Sequence, residues 1–351
     1  MKKEEFEFIL FDRLEKIKQI NNEYDLENTS YLSFSGGKDS TILHYLVDLA
    51  LPNNNIPRVY KDTGIEYKQV RNFVKTFVDK DKRFIYLKPT KNIRQALEEN
   101  GYPFKSKQHS HNFMIYKNNI ELCEKYKKEV INRKITEKLT ENKITQEDVD
   151  FIASIPRGAK TFIKYYFGIR ENGGGGISTS IKIVPNTLKY QFEPLYAEKH
   201  NYSDKCCLMF KKGVLREYEL SSKRFNAITG MRREEGGNRN NISCVTSGVN
   251  GKHFNFLAPL TDEFMDMFIE VYNIKLCELY YPPFNFKRSG CLFCPYSLDL
   301  QKQLDKLKEV DYATYKQAWY LWGKVFKEYK KIGYRLRPRN LFDDEEQDNE
   351  L

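Results

Sequence analysis

Two pairs of cysteines give this chain its clearest capacity for chemistry: Cys206 and Cys207 are adjacent, and Cys291 and Cys294 form a C-x-x-C hook 84 positions further on. Thiolates are soft ligands, and four drawn from two distant segments can close around zinc or an iron–sulfur cluster. Zinc ordinarily takes its cysteines from C-x₂₋₄-C knuckles, so an adjacent pair suits a simple tetrahedron poorly. Lys205, Lys211 and Lys212 flank the tandem pair, favouring the thiolate forms and offsetting the negative charge of a metal centre. Cys123, Cys244 and Cys277 have no partner at ligand spacing and read as small core residues. His109 and His111, in KQHSHN, lack a nearby thiol or carboxylate and read as polar surface residues.

A second chemical element is SFSGGKDS at 33–40. It sits between a short apolar strand expected at Tyr31–Phe34 and an apolar helix expected at Thr41–Leu51. At such a junction the backbone N–H groups and the helix dipole point toward an anion. Gly36 and Gly37 let the chain turn tightly and approach phosphate oxygens, Lys38 adds a mobile positive charge, and Ser35 and Ser40 supply hydroxyls. Asp39 can cap the helix or hold a metal ion such as Mg²⁺. The GxxxxGK[ST] spacing of a Walker loop is absent.

Around these residues the pattern predicts an α/β fold with a mostly parallel, doubly wound sheet. A helix is expected over Phe6–Ile20, strands at Arg58–Lys61, Arg83–Leu87 and Asn226–Gly230 and near Phe254–Leu257, and helices at Tyr67–Val78, Asn92–Asn100, Asp262–Tyr272 and from Lys205. The expected organisation is a nucleotide-binding core over 1–105, a mainly helical insertion over 106–200 ending in a flexible loop at the GGGG of 173–176, a second core part with the cysteines over 201–298, a helical region over 299–340 and an acidic disordered tail over 341–351. Within the insertion, Lys160, Lys164, Tyr165, Tyr166 and Arg170 could stack on and neutralise a nucleic acid, although a solvated helix face is the simpler expectation.

The chain holds 58 Lys+Arg against 48 Asp+Glu, and six of those acids fall within Phe342–Leu351. The rest is therefore strongly basic, which suits a nucleotide phosphate and a nucleic acid equally. No apolar run approaches the roughly 18 residues that span a bilayer, and the amino terminus does not read as a secretory leader. A cytoplasmic location is expected, where seven cysteines would not serve as disulfides.

Taken together, these motifs resemble the PP-loop superfamily of ATP pyrophosphatases (adenine nucleotide alpha hydrolase-like) and, within it, the reductases of phosphoadenylyl sulfate (PAPS) and adenylyl sulfate (APS). SGGKDS resembles their phosphate loop, KDTGIEY at 61–67 their DTG segment, AITGMRREEGGNR at 227–239 their G-x-R-x-x-E-x-x-x-R block, and LAPLTDEF at 257–264 the segment before the last helices. The resemblance runs from about Tyr31 to Tyr296 and leaves the insertion unmatched. It implies that Ser35–Ser40 hold the phosphate or sulfate end of ATP, PAPS or APS. It also implies that Asp62, Thr63 and Gly64 lie near the nucleoside, and that Arg232, Arg233 and Arg239 clamp anionic oxygens. Lys38, Asp39 and Arg232 are the implied catalytic residues. A tandem Cys pair, a long gap and C-x-x-C resemble the cluster-binding pattern of APS reductases, which implies a [4Fe–4S] centre on Cys206, Cys207, Cys291 and Cys294, with zinc as the alternative. A thiol reductant protein such as thioredoxin is the implied partner. The chain departs from those reductases in lacking their late E-C-G-[IL]-H cysteine: none follows Cys294. Two other readings stay open, an ATP-dependent adenylating sulfurtransferase acting on a nucleic acid or other acceptor, and a non-catalytic nucleotide and cluster sensor.

Overall fold

The computed structural model describes residues 1–88, 92–288 and 290–338. The expected acidic tail lies outside the described residues. Strands β1 (Ser30–Phe34), β2 (Arg58–Lys61) and β3 (Phe84–Leu87) arise where short apolar runs alternate with helices. After the helical middle of the chain, which carries a small antiparallel pair, β4 (Ile169–Glu171) and β5 (Ile177–Thr179), the main sheet resumes with β6 (Asn226–Ile228), β7 (Val245–Ser247) and β8 (Lys252–Phe254). The six-stranded order is β3-β2-β1-β6-β8-β7. Every neighbouring pair is parallel except the last, in which β7 runs antiparallel along the edge. The fold is the expected mostly parallel α/β sheet.

β1 is the pivot of this order, with Leu32 opposite Arg58 of β2 on one side and Ile228 of β6 on the other. The chain first adds strands outward from one edge of β1 and later from the other. The loops after β1 and β6 therefore diverge, opening a crevice at their carboxyl ends, the usual ligand position in open α/β sheets.

Helix Lys38–Ala50 follows β1 and buries Ile42, Leu43, Leu46 and Val47 completely. Helix Lys3–Tyr24 covers the same face, where Phe6 meets Phe264 of helix Asp262–Val271 at 4.9 Å between ring centroids.

Residues 107–167 form five helices, from Lys107–Asn118 to Arg157–Phe167. Their aromatic core gathers Phe113, Tyr116, Phe162 and Phe192. The two ends of this region meet in an isolated parallel bridge: Tyr102 N–H donates to Asn201 O at 2.8 Å and Ser203 N–H to Tyr102 O at 2.9 Å. The GGGG at 173–176 is the turn of the β4–β5 hairpin, closed by Asn172 N–H to Gly176 O at 2.8 Å and by the Asn172 side chain accepting from Gly176 N–H at 2.8 Å. The expected loop is thus the turn of a hairpin.

Two further expectations are corrected. His109 is fully buried, with Nδ1 3.0 Å from Tyr165 Oη and Nε2 2.9 Å from Gln191 Oε1, because helix Lys107–Asn118 turns it into the aromatic core; only His111 is at the surface. Tyr165 and Tyr166 are also buried, so they cannot stack on a nucleic acid from outside.

Candidate functional site

Gly36 makes the tight turn after β1 possible. Its φ is +71°, and a Cβ there would stand 2.8 Å from Val74 Cγ2, so both the backbone and the space behind it exclude other residues. The loop is braced from within: Ser40 Oγ accepts from Ser35 N–H at 3.1 Å and lies 3.0 Å from Ser35 Oγ. Gly37 then caps helix Lys38–Ala50 without a side chain of its own. Lys38 Nζ lies 3.3 Å from Asp266 Oδ1 and 3.9 Å from Asp262 Oδ1, both on the first turn and a half of the facing helix.

Arg232, which follows β6, is only 5% exposed and is fully engaged. Its Nε donates to Asp39 Oδ1 at 3.0 Å, Nη2 to Asp262 Oδ1 at 2.7 Å, and Nη1 to Glu234 Oε2 at 3.1 Å and Leu260 O at 3.3 Å. It is the strut that joins the loops after β1 and β6. Burial raises the Asp39 carboxyl although Arg232 pulls it down, while the hydrogen bond from Arg232 lowers Asp262. Arg239 pairs with Glu235 at the rim. Arg233 is exposed and does not line the cleft; its Nε donates to Ile242 O at 2.8 Å.

Asp62, Thr63 and Gly64 make a closed turn and do not line the cleft either. Asp62 Oδ1 accepts from Gly64 N–H at 2.8 Å and Oδ2 from Tyr86 Oη at 2.6 Å, and Glu66 Oε2 accepts from Thr63 N–H at 2.9 Å. The turn supports the cysteine hook instead: Leu292 N–H donates to Ile65 O at 2.5 Å, and Glu66 pairs as an isolated bridge with Cys291.

All seven cysteines are free, and the two pairs singled out from the sequence come together. Cys206 is raised above the usual thiol range by burial first and then by Cys291, Cys207 and Cys294. Burial also pushes Cys291 up, and Cys294 to about 11 with Cys291 as its next cause. The hook is a tight turn, with Cys294 N–H donating to Cys291 O at 3.2 Å and Phe293 at φ +46°. That backbone is unfavourable for a side-chain-bearing residue, and Phe293 is held there by complete burial beside Tyr67, 5.8 Å away between ring centroids. Helix Tyr312–Ile332 grips the same segment: Trp322 Nε1 donates to Leu292 O at 3.0 Å and Tyr329 Oη to Pro295 O at 2.8 Å. The tandem pair precedes a π-helical turn, Leu208–Gly213, a rare form that often marks functional sites. Lys211 of this turn lies near Cys291, whose charge raises the lysine's pKa, whereas burial, followed by Lys211, lowers Lys61 to about 8. Among the described residues no three Cys, His, Asp or Glu side chains enclose a position for one metal ion.

A cleft of about 1870 Å³ joins these parts. Ser35, Gly37, Lys38, Asp39 and Ser40 line one wall, Thr229 to Arg232 another, and Cys207, Lys211 and Lys212 a third. Among the described residues ten Lys and Arg face it against five Asp and Glu, so the cleft is positive. Residue-by-residue reading did not find Lys61, Tyr280 or the Asp262–Asp266 pair; Lys61 adjoins the DTG segment, but Tyr280 carries no local signal.

Residues 29–145 match the family model of the phosphoadenosine phosphosulfate reductase domain. Over that segment the chain is similar to the PAPS reductase domain. The match begins one residue before β1, contains the glycine loop at 33–40 and the DTG turn, and runs into the helical region that sequence reading left unmatched. Arg232 and all four site cysteines lie beyond it. An uncharacterized protein of Methanocaldococcus jannaschii is 36% identical over 104 residues, 27% of this chain and 25% of that protein, so the chain matches about a quarter of its relative's length. The crystal structure of phosphoadenylyl-sulfate (PAPS) reductase from Candida auris, as a phosphate complex, aligns at 9% identity with a TM-score of 0.41, covering 83% of this chain and 96% of that one. No helix among the described residues is long and apolar enough to cross a membrane.

Proposed function

We propose that this chain is an adenine-nucleotide-binding enzyme that performs sulfur chemistry on an adenylylated substrate such as APS or PAPS, beside a [4Fe–4S] cluster held by Cys206, Cys207, Cys291 and Cys294. The observation that carries the reading is that Cys207 and the phosphate loop open into one positive cleft. The amides at the start of helix Lys38–Ala50 and the Lys38 ammonium would bind phosphate or sulfate oxygens. Arg232 would hold Asp39 and the helix of Asp262 in place around them.

The donor set suits a cluster. One zinc ion needs every sulfur about 2.3 Å from a common point, whereas a [4Fe–4S] cube binds each thiolate at a different iron. Four thiols gathered closely enough for Cys291, Cys207 and Cys294 to raise Cys206 supply one sulfur for each iron of such a cube. Lys211 and Lys61 would offset the charge of such a centre. When bound, the cluster would supply one-electron or sulfur-binding chemistry.

A second reading, ATP-dependent adenylation followed by sulfur transfer, draws support from Asp262 and Asp266 beside Lys38, where Mg²⁺ on a triphosphate would find oxygen ligands. Incubation with ATP and with APS separates the two. Sulfite released from APS with thioredoxin or a small dithiol as reductant supports the first; AMP and pyrophosphate formed from ATP support the second. Failure to bind any adenylate would sink both. Lys38→Ala should weaken nucleotide binding about tenfold or more while leaving the iron content unchanged.

A further inference from the structure

A helix begins with amides that have no intrahelical acceptor. In helix Lys38–Ala50 the first amide with such an acceptor is that of Thr41, which donates to Gly37 O at 3.0 Å. The amides of Lys38, Asp39 and Ser40 are therefore left to the loop, and Gly37 offers no side chain to receive them. Those of Asp39 and Ser40 have no acceptor among the described residues. The Lys38 amide does have one: the hydroxyl of Tyr280, 242 positions later, accepts it at 2.9 Å.

Tyr280 is half-buried, lines the cleft and ends the short 3₁₀ turn Glu278–Tyr280. Its own N–H is fixed to Cys277 O at 3.0 Å, and Leu279 O just before it accepts from Phe286 N–H at 2.7 Å. A firmly mounted phenol oxygen thus occupies a place where the helix start would otherwise receive an oxygen of an anion.

We infer that Tyr280 is a resident competitor of the bound phosphate: its hydroxyl holds the Lys38 amide until an anionic oxygen displaces it. The inference rests on the phosphate-loop reading above. An anionic acceptor makes a hydrogen bond about twice as strong as a neutral one, so the exchange runs toward phosphate, but each ligand that uses this amide must first break the tyrosine bond. Tyr280 therefore sets a threshold that anionic ligands meet and the uncharged nucleoside does not.

The test is calorimetric titration of the full chain and of Tyr280→Phe with pyrophosphate, ATP and adenosine. The variant should bind pyrophosphate and ATP about three- to tenfold more tightly, the net effect of one neutral hydrogen bond, and adenosine with unchanged affinity. Equal or weaker binding of pyrophosphate and ATP by the variant, with the wild type binding normally, would overturn this inference alone. If the wild type binds neither anion, the phosphate-loop reading falls and the inference with it. A second measurement is independent of ligand affinity: in lysine-labelled protein the Lys38 amide should exchange with solvent faster in Tyr280→Phe than in the wild type, and equally once pyrophosphate saturates both. Identical exchange without ligand would also overturn it.

Discussion

Replacing Arg232 by methionine asks whether its guanidinium clamps the ligand or braces the loop that does. At 3.0 Å from Asp39, the Coulomb attraction is about 5 kcal/mol at an effective dielectric of ~20. The Asp39 side chain is 30% exposed, which screens part of this, and Asp262 and Glu234 are 60% and 43% exposed, where an ion pair contributes about 0–1 kcal/mol each. Arg232→Met should therefore destabilise the protein by about 2–3 kcal/mol in denaturant unfolding. Asp39→Asn in the same background should recover much of that loss, because it removes the stranded charge; the double-mutant cycle should give a coupling of about 2 kcal/mol. Pyrophosphate affinity should follow the same logic, falling in Arg232→Met, where an unpaired Asp39 faces the anion, and recovering when Asp39 becomes Asn. Effects on stability that add to within about 0.5 kcal/mol, or an affinity loss that Asp39→Asn does not repair, would show that Arg232 acts on the ligand directly and that the bracing account is wrong.

Gly36→Ala should cost about 2 kcal/mol or more and weaken nucleotide binding, since φ is +71° and the added methyl meets Val74 Cγ2 at 2.8 Å; adding Val74→Ala should relieve only part of the loss, and full rescue would show that the backbone is unstrained. Burial lowers His109 to about 3 from an ordinary 6.5, so the folded protein keeps it neutral where the unfolded chain would protonate it. Its contribution is complete above about pH 6.5 and drains away as the pH falls toward 3, by up to about 1.4 kcal/mol per pH unit. Denaturant unfolding from pH 7 to 4 should show a shallower fall for His109→Gln than for the wild type, and parallel slopes would contradict the burial argument.

The parts of the site that lie close together in sequence were legible before folding. Strand, glycine loop and helix at 30–50 are contiguous, so the tight turn between them could be read from order alone, and the hook at 291–294 announces itself by spacing. The neighbours that decide what these parts do come from far along the chain. Tyr280 reaches Lys38 and Trp322 reaches Leu292 only once the sheet and the last helix are assembled. Arg232 was visible as a cation, but the three carboxylates that engage it, Asp39, Glu234 and Asp262, were not. Local polarity misled at His109, whose neighbours Gln108 and His111 are exposed while the helix turns His109 inward. The strand expected near Phe254–Leu257 lies at Lys252–Phe254 because Phe256 and Leu257 leave the ladder for the core. Three-residue β7 is too short to show an alternation.

Iron and acid-labile sulfide measured on this chain purified anaerobically, in parallel with adenylate titration of the same sample, test most directly whether the thiol quartet and the anion loop form one working cleft. The expected result is about four iron and four sulfide per chain, a brown chromophore lost in Cys291→Ser, and adenylate binding by the wild type. Colourless, iron-free protein that ignores adenylates would contradict it.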